Sequence, residues 1–497
     1  MSAALPALLA AAALAPFAPS DEPAPGPSDG VRRPNVVVVF IDDMGWADFS
    51  CFHDRDDVRP PIEPRPEEAR TPNVDRLAAE GLRFGRFYVN SPICSPSRTA
   101  LTTGQYPQRW RIGSYLARRQ LNADRGIANW LDPAAPVLPR RLQEAGYRTG
   151  HFGKWHMGGQ RDVGEAPLIT QYGFDESLTN FEGLGPRVLP LLNAYDDSEP
   201  RPHALGSDTL GRGPIEWRNR DDVTAAFVSD ALDFIDESQA ANEPFYLNLW
   251  PDDVHTPLFP PAARRGDGSK GEKYRGVLKT MDAQLGLLFD RIRYDDALRE
   301  NTLILVCSDN GPEPGAGSAG PLRGYKTMLY EGGIRSPLVV WGPGLVEPAA
   351  VGTFDDDSTF AAFDLVPSLL TVCGVELEED PRFDGENLAD VLLGRRDGSR
   401  SAPLFFRRPP DRDRFYGVAD LPDLAVIDAP EGSADGPRWK LLCEYDGSQA
   451  ELYDLAADPG ETTNLAAENP AVTARLRDAV VAWHESLPQD KGETFGR

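Results

Sequence analysis

Val36-Val37-Val38-Val39-Phe40-Ile41 runs directly into Asp42-Asp43. An apolar run dominated by β-branched residues offers no polar face to water, so it reads as a strand buried on both faces of a parallel sheet. Phe245-Tyr246-Leu247-Asn248-Leu249-Trp250 and Thr302-Leu303-Ile304-Leu305-Val306-Cys307 have the same texture. Helical patterns lie between them: Asn73 to Glu80 closed by Gly81, Leu138 to Ala145 closed by Gly146, and Val223 to Phe234. Strands alternating with helices predict an α/β sheet with right-handed crossovers.

The chain has 497 residues, 41% of them hydrophobic and nine of them Trp, enough for a large core spread over two domains. Past about residue 395 the texture changes. Arg438 to Glu444 and Glu451 to Leu455 read as paired strands and Ala471 to Leu487 as a final helix. The expected organisation is a secretory signal over 1–20, a linker over 21–34, an α/β domain over 35–395 and a small antiparallel sheet with a helix over 396–497. The signal rests on the short apolar run Leu5 to Ala15 followed by Ala18-Pro19-Ser20, and implies a periplasmic or secreted protein. No later stretch is long and apolar enough for an integral membrane span. Glu182 to Arg220, rich in Gly and Pro, reads as a long loop overhanging a site.

A formal net charge of −26 argues against nucleic-acid binding, which needs clustered Lys and Arg. The same charge opposes long-range capture of a polyanion, so an anionic substrate needs a local cationic pocket within a negative shell. The five cysteines (Cys51, Cys94, Cys307, Cys373, Cys443) are scattered and odd in number, unlike a disulfide scaffold. Cys307 and Cys373 read as small buried hydrophobes.

Asp42-Asp43 and Asp309-Asn310 both follow buried runs, and the carboxyl ends of parallel strands share one ligand-binding edge. Three carboxylates and an amide oxygen form an all-oxygen set suited to Ca²⁺ or Mg²⁺ rather than zinc. Helix capping and turn formation are the ordinary alternative for such residues. Cys94-Ser95-Pro96-Ser97-Arg98 reads as a turn, with Thr99 to Thr103 continuing as a helix whose N-terminus favours an anion. Lys154 and His156, in His151-Phe152-Gly153-Lys154-Trp155-His156, are two apart and would share a side of extended backbone. His255 lies just past a buried run. Lys326 precedes Tyr330-Glu331-Gly332-Gly333-Ile334-Arg335, and only seven of the 51 basic residues are lysines.

Taken in order, these pieces resemble the type I, formylglycine-dependent sulfatases of the alkaline phosphatase superfamily. Cys94-x-Pro96-x-Arg98 is similar to the signature whose cysteine is oxidised to formylglycine, and the downstream pattern departs only at Gln105, where the family has Arg or Lys. Gly153-Lys154-Trp155-His156, the His255-x-Pro257 element, the Glu331 hallmark and Glu451 to Asn464 match in turn, the last reading as packing without catalytic content. The Asp252-Asp253 pair departs from the commonest form and is a candidate determinant of substrate choice.

The resemblance implies an alkaline-phosphatase-like fold with a large, mostly parallel sheet and a smaller C-terminal α+β domain. It implies one Ca²⁺, with Mg²⁺ second, on Asp42, Asp43, Asp309, Asn310 and the modified residue 94. Hydrated formylglycine at 94 would be the nucleophile, with Asp309 taking its proton. Arg98, Lys154 and Lys326 would offset sulfate charge, His255 would protonate the leaving alcohol, and His156 would take the second hydroxyl proton. The implied partners are a sulfated carbohydrate and a formylglycine-generating or anaerobic maturase enzyme. A phosphonate or phosphodiester hydrolase of the same superfamily, a sulfated-glycan-binding protein with unmodified Cys94, and a metal-stabilised structural protein are the competing readings.

Overall fold

The computed structural model describes residues 33–53, 70–377, 383–411, 421–428 and 436–491. The signal and nearly all of the linker fall outside these residues.

Strand β1 (Asn35–Ile41) is central to an eight-stranded sheet, and it shows why a continuous apolar run was needed. Val37, Val39 and Ile41 pack into one hydrophobic cluster and Val36, Val38 and Phe40 into the cluster on the opposite face. The other members are β2 (Leu82–Tyr88), β3 (Arg148–Gly153), β4 (Glu176–Leu178), β8 (Phe245–Trp250), β9 (Thr302–Ser308), β10 (Arg335–Trp341) and β11 (Phe354–Ala361). Their order is β11-β2-β10-β9-β1-β8-β3-β4, and only β10 runs antiparallel to its neighbours. In register, Ile41 is level with Ser308, so Asp42-Asp43 and Asp309-Asn310 emerge side by side at one edge.

Residues 187–219 are not an open loop. They form a three-stranded sheet of β5 (Arg187–Leu192), β6 (Arg201–Pro202) and β7 (Ile215–Asn219), with β5 between the other two. The helix after β7 begins at Val223 as expected and continues to Ala241.

The C-terminal portion is an antiparallel sheet of β12 (Leu404–Arg407), β13 (Leu424–Ile427), β14 (Trp439–Cys443) and β15 (Glu451–Asp454). Helix Pro470–Ser486 starts with Pro at its first turn and packs Leu476 and Val480 on Leu424, Val426, Leu441 and Leu452. A buried ion network joins this sheet to the large one. Lys440 Nζ lies 2.9 Å from both Glu331 Oε1 and Glu461 Oε1, and Tyr88 donates to Glu331 at 2.9 Å. The Glu451 to Asn464 signature therefore contributes a buried charge as well as packing.

No helix among the described residues is long and apolar enough to cross a membrane.

Candidate active site

Asp42, Asp43 and Asp309 each bring a carboxylate oxygen within 4.8 Å of the others. Asp43 takes a left-handed backbone conformation (φ 60°), and its N–H donates to Asp309 Oδ1 at 3.1 Å. Asn310 Nδ2 donates to Asp43 Oδ1 at 2.7 Å, which leaves Asn310 Oδ1 buried without a partner. Asp42 Oδ1 likewise accepts no hydrogen bond. Buried oxygens normally accept hydrogen bonds, so oxygens that accept none inside an all-oxygen, anionic set fit a hard divalent cation, although Arg98 also lies 3.4 Å from Asp42 Oδ1. The next residue, Gly311, permits this packing: a Cβ there would lie 1.9 Å from the Gly332 carbonyl oxygen.

The helix carrying the signature starts at Cys94 itself (Cys94–Thr103), one turn earlier than the sequence suggested, because Ser95-Pro96-Ser97 forms its first turn. Cys94 therefore sits at the positive end of a helix dipole. Burial, with Asp42 and Asp309 opposed by Lys154 and Lys326, pushes its thiol up to about 12. Ser95 Oγ accepts from Leu116 N at 2.9 Å, tying the helix start to the 112–116 segment. Arg98 lies one turn further on, fully buried. It donates to Asp309 Oδ2 at 2.7 Å and to the Lys154 carbonyl at 2.8 Å, with its guanidinium over Trp250.

Each carboxylate of the cluster meets a cation. Lys154 Nζ contacts Asp42 Oδ2 at 2.6 Å, and Lys326 Nζ contacts Asp43 Oδ2 at 2.7 Å. Burial alone would raise Asp42, but Lys154, His255, Arg98 and Lys326 together hold it well below the usual carboxylate range. Burial and the neighbouring Asp42 drive Asp309 the other way, well above it, as expected for close carboxylates.

The two histidines meet different carboxylates, His255 Asp43 and His156 Glu182. His255 Nδ1 is 2.6 Å from the Thr256 carbonyl and must donate to it, so Nε2 is the nitrogen turned inward, 3.6 Å from Asp43 Oδ2. His156 is buried, with Nε2 2.9 Å from the Leu116 carbonyl and Nδ1 3.1 Å from Glu182 Oε2. Burial lowers its pKa, Glu182 opposes this and Lys154 adds to it, leaving it at about 3, while Nε2 donates to the Leu116 carbonyl. Nδ1 is then its basic nitrogen, and Glu182 is placed to stabilise the imidazolium once a proton arrives.

Lys154 and His156 do not meet through strand alternation, because β3 ends at Gly153 and His156 has φ 54°. Glu182 gathers them instead: its Oε2 is 3.0 Å from Lys154 Nζ. Burial raises Glu182, but His156 and Lys154 outweigh this and bring it to about 2. Glu182 is the site residue that sequence reasoning missed; the only signal was its place at the start of the Gly-rich 182–220 stretch.

Asp252 and Asp253 are buried rather than presented to a ligand. Arg220 clasps Asp252 through Nη1 to Oδ1 (2.9 Å) and Nη2 to the main-chain oxygen, and reaches the His255 carbonyl at 3.4 Å. Asn180 Nδ2 donates to Asp252 Oδ2 at 3.0 Å, and Asn180 Oδ1 accepts from Glu182 N at 3.1 Å. One polar chain thus links the supports of both histidines. Asp253 bonds Thr224, and burial, partly offset by Arg220, raises it to about 6. Gln105 accepts from Trp110 Nε1 at 3.1 Å.

The family model described as Sulfatase matches residues 34–375. The chain is 32% identical over 397 residues to N-acetylgalactosamine-6-sulfatase of Canis lupus familiaris, spanning 77% of this chain and 70% of that protein. It is 30% identical over 488 residues to arylsulfatase A of Homo sapiens, spanning 94% and 90%. Its fold is that of Ps i-CgsB in complex with k-i-k-neocarrahexaose, with a TM-score of 0.71 and 23% identity over 94% of this chain and 95% of that one. With its length spanned by such relatives and its strand ends so furnished, the chain belongs to the sulfatase family of the alkaline phosphatase superfamily and is a sulfuric ester hydrolase.

Proposed function

We propose that the chain is an exported sulfatase that removes sulfate from a sulfated carbohydrate, with Cys94 converted to formylglycine and Ca²⁺ on Asp42, Asp43, Asp309 and Asn310. The observation that carries this reading is the meeting of the Cys94 helix start with three carboxylates, Lys154, Lys326 and Arg98 at one sheet edge. The first relatives act on a sulfated amino sugar by name, which supports the substrate class. The leader-like run Leu5 to Ala15 supports export.

Bound Ca²⁺ and the hydrated aldehyde would together supply an acidified hydroxyl facing sulfur. The chain's own residues do the rest. Lys154 and Lys326, whose ammonium groups lie against Asp42 and Asp43, would offset charge on the sulfate oxygens. Arg98 braces Asp309 and the Lys154 backbone. His255, with Nε2 inward, donates a proton to the departing sugar oxygen, and Asp43 stabilises its protonated form. His156 accepts a proton at Nδ1 against Glu182.

The test joins two measurements on one preparation made alongside a maturase. Peptide mass analysis should show the residue-94 thiol replaced by aldehyde or hydrate, and a panel of sulfated oligosaccharides should yield free sulfate. Full activity with Cys94 wholly unmodified would overturn the mechanism. Cleavage of a phosphodiester in preference to every sulfate would overturn the substrate class.

A further inference from the structure

Most arginines around the site are committed. Arg98 pairs with Asp309, Arg220 with Asp252, and Arg187 caps the carbonyls of Ser207 and Gly211. Arg161 is different. Half-buried, it makes no hydrogen bond or ion pair through its guanidinium with any described residue, in a chain of net charge −26.

Its position is held from both sides. Gln160, the preceding residue, is buried and donates to the Ala117 and Asn129 carbonyls at 3.1 and 3.0 Å. The Gln160 backbone bridges Glu182, which touches Lys154 and His156. Arg161 itself has φ 53°, a conformation that costs a non-glycine residue energy and that marks functional segments when it persists. His156, Gly158 and Gly159 in the same segment also have positive φ. The chain thus leaves His156 in a tight, strained path that ends by presenting Arg161.

His203, just after β6, completes the arrangement. It is half-buried, its ring stands edge-on to Phe181 at 5.9 Å, and neither ring nitrogen hydrogen-bonds a described residue. Burial, then Arg220, Arg161 and His255 against Asp252, holds its pKa below the ordinary value. Arg161 and His255 also both act on Glu182. The Gln160–Glu182 bridge and the His203–Phe181 ring contact hold both side chains next to the segment that carries Glu182.

We propose that Arg161 and His203 form an anion subsite beside the scissile ester, taking a second sulfate or a carboxylate carried by the same sugar chain; this rests on the sulfated-carbohydrate reading above. The guanidinium offers a planar fork matched to two oxygens of either group, and the His203 ring adds one N–H donor.

The experiment measures kcat/KM of wild type, Arg161→Ala and Arg161→Lys on four substrates. These are a small aryl sulfate, a neutral monosulfated sugar, the same sugar with a second sulfate, and a monosulfated sugar linked to a uronate. Wild type should favour one or both doubly anionic sugars. Arg161→Ala should lose about 10- to 100-fold on each favoured doubly anionic sugar, mainly through KM, the size expected for a charged hydrogen bond, and under about threefold on the two singly anionic substrates. Arg161→Lys should recover part of the loss. Which sugar suffers distinguishes sulfate from carboxylate. Equal losses on singly and doubly anionic substrates overturn the subsite while leaving the proposed function standing. Cleavage of the aryl sulfate with no sugar cleaved overturns both.

Discussion

Neutralising Glu182 is the most direct test of the site's geometry. Glu182→Gln keeps the shape and can still accept from Lys154, but it removes the only carboxylate that touches both Lys154 and His156 among the described residues. The consequence for His156 can be worked from one distance. At 3.1 Å and an effective dielectric of about 20, the carboxylate stabilises a protonated His156 by about 5 kcal/mol. Relaxation and compensating water will reduce this, so proton acceptance should become harder by about 2–4 kcal/mol, or roughly 30- to 700-fold in the step it serves. The loss should appear in kcat at saturating substrate. It should be the same for an aryl sulfate and an alkyl sugar sulfate, because His156 does not serve the leaving group. Thermal unfolding run in parallel separates this from collapse of the pocket, and Glu182→Asp should restore part of the rate. Full turnover by a folded Glu182→Gln enzyme would refute the assignment of His156 as a base supported by Glu182.

His255→Ala should lose about 10²–10⁴-fold on an alkyl sugar sulfate and under about tenfold on an activated aryl sulfate, whose phenolate needs little protonation; equal losses on the two would reject His255 as the acid. A chelator followed by dialysis should abolish turnover, and added Ca²⁺ should restore it; full rate in protein verified as metal-free would make the Asp42, Asp43, Asp309 and Asn310 cluster structural. Arg220→Ala leaves Asp252 buried without its counter-ion, with only the Asn180 amide on it, so it should cost about 3–5 kcal/mol in chemical denaturation. By loosening the His255 turn it should also depress alkyl sulfate turnover more than aryl sulfate turnover, and a uniform loss would mean that Arg220 only supports the fold.

The parts of the fold legible in sequence were those where one residue type must fill a run. β1 and β9 are buried on both faces, so they could only be apolar, and the polar residues ending them had to fall at the ligand edge. The three-stranded sheet was not legible for the opposite reason. β6 is exposed, β7 is half-exposed and polar, and β5 contains Pro190, so no alternation survives to mark them. Glu182 stayed hidden because its role comes from a backbone bridge to Gln160 and not from any spacing. Lys154 and His156 converge on Glu182 Oε2 through the turn after β3 and not through strand alternation. Asp252 was noticed as a departure, but its partner Arg220 is separated from it by the whole Val223–Ala241 helix and β8, a pairing no local pattern encodes.

The Glu331 hallmark and the C-terminal signature acquire a common reason from the same geometry. Glu331 opens a short helix whose Gly333 carbonyl accepts from Gly311 N at 3.0 Å, next to Asn310. Its carboxylate is held by Lys440 of β14, and its N–H donates to Glu461 at 2.7 Å. Burial raises Glu461 to about 7, Lys440 opposing it, while Lys440 and Arg335 outweigh burial and hold Glu331 below its ordinary value. Lys440 thus sits between a carboxylate it holds down and one that burial raises, an arrangement that secures position more than it adds stability. Position is what Asn310 requires, since its neighbour Gly311 is hydrogen-bonded to Gly333 in the helix that Glu331 opens. The small C-terminal sheet is therefore connected to the oxygen cluster through Lys440, Glu331, Gly333 and Gly311.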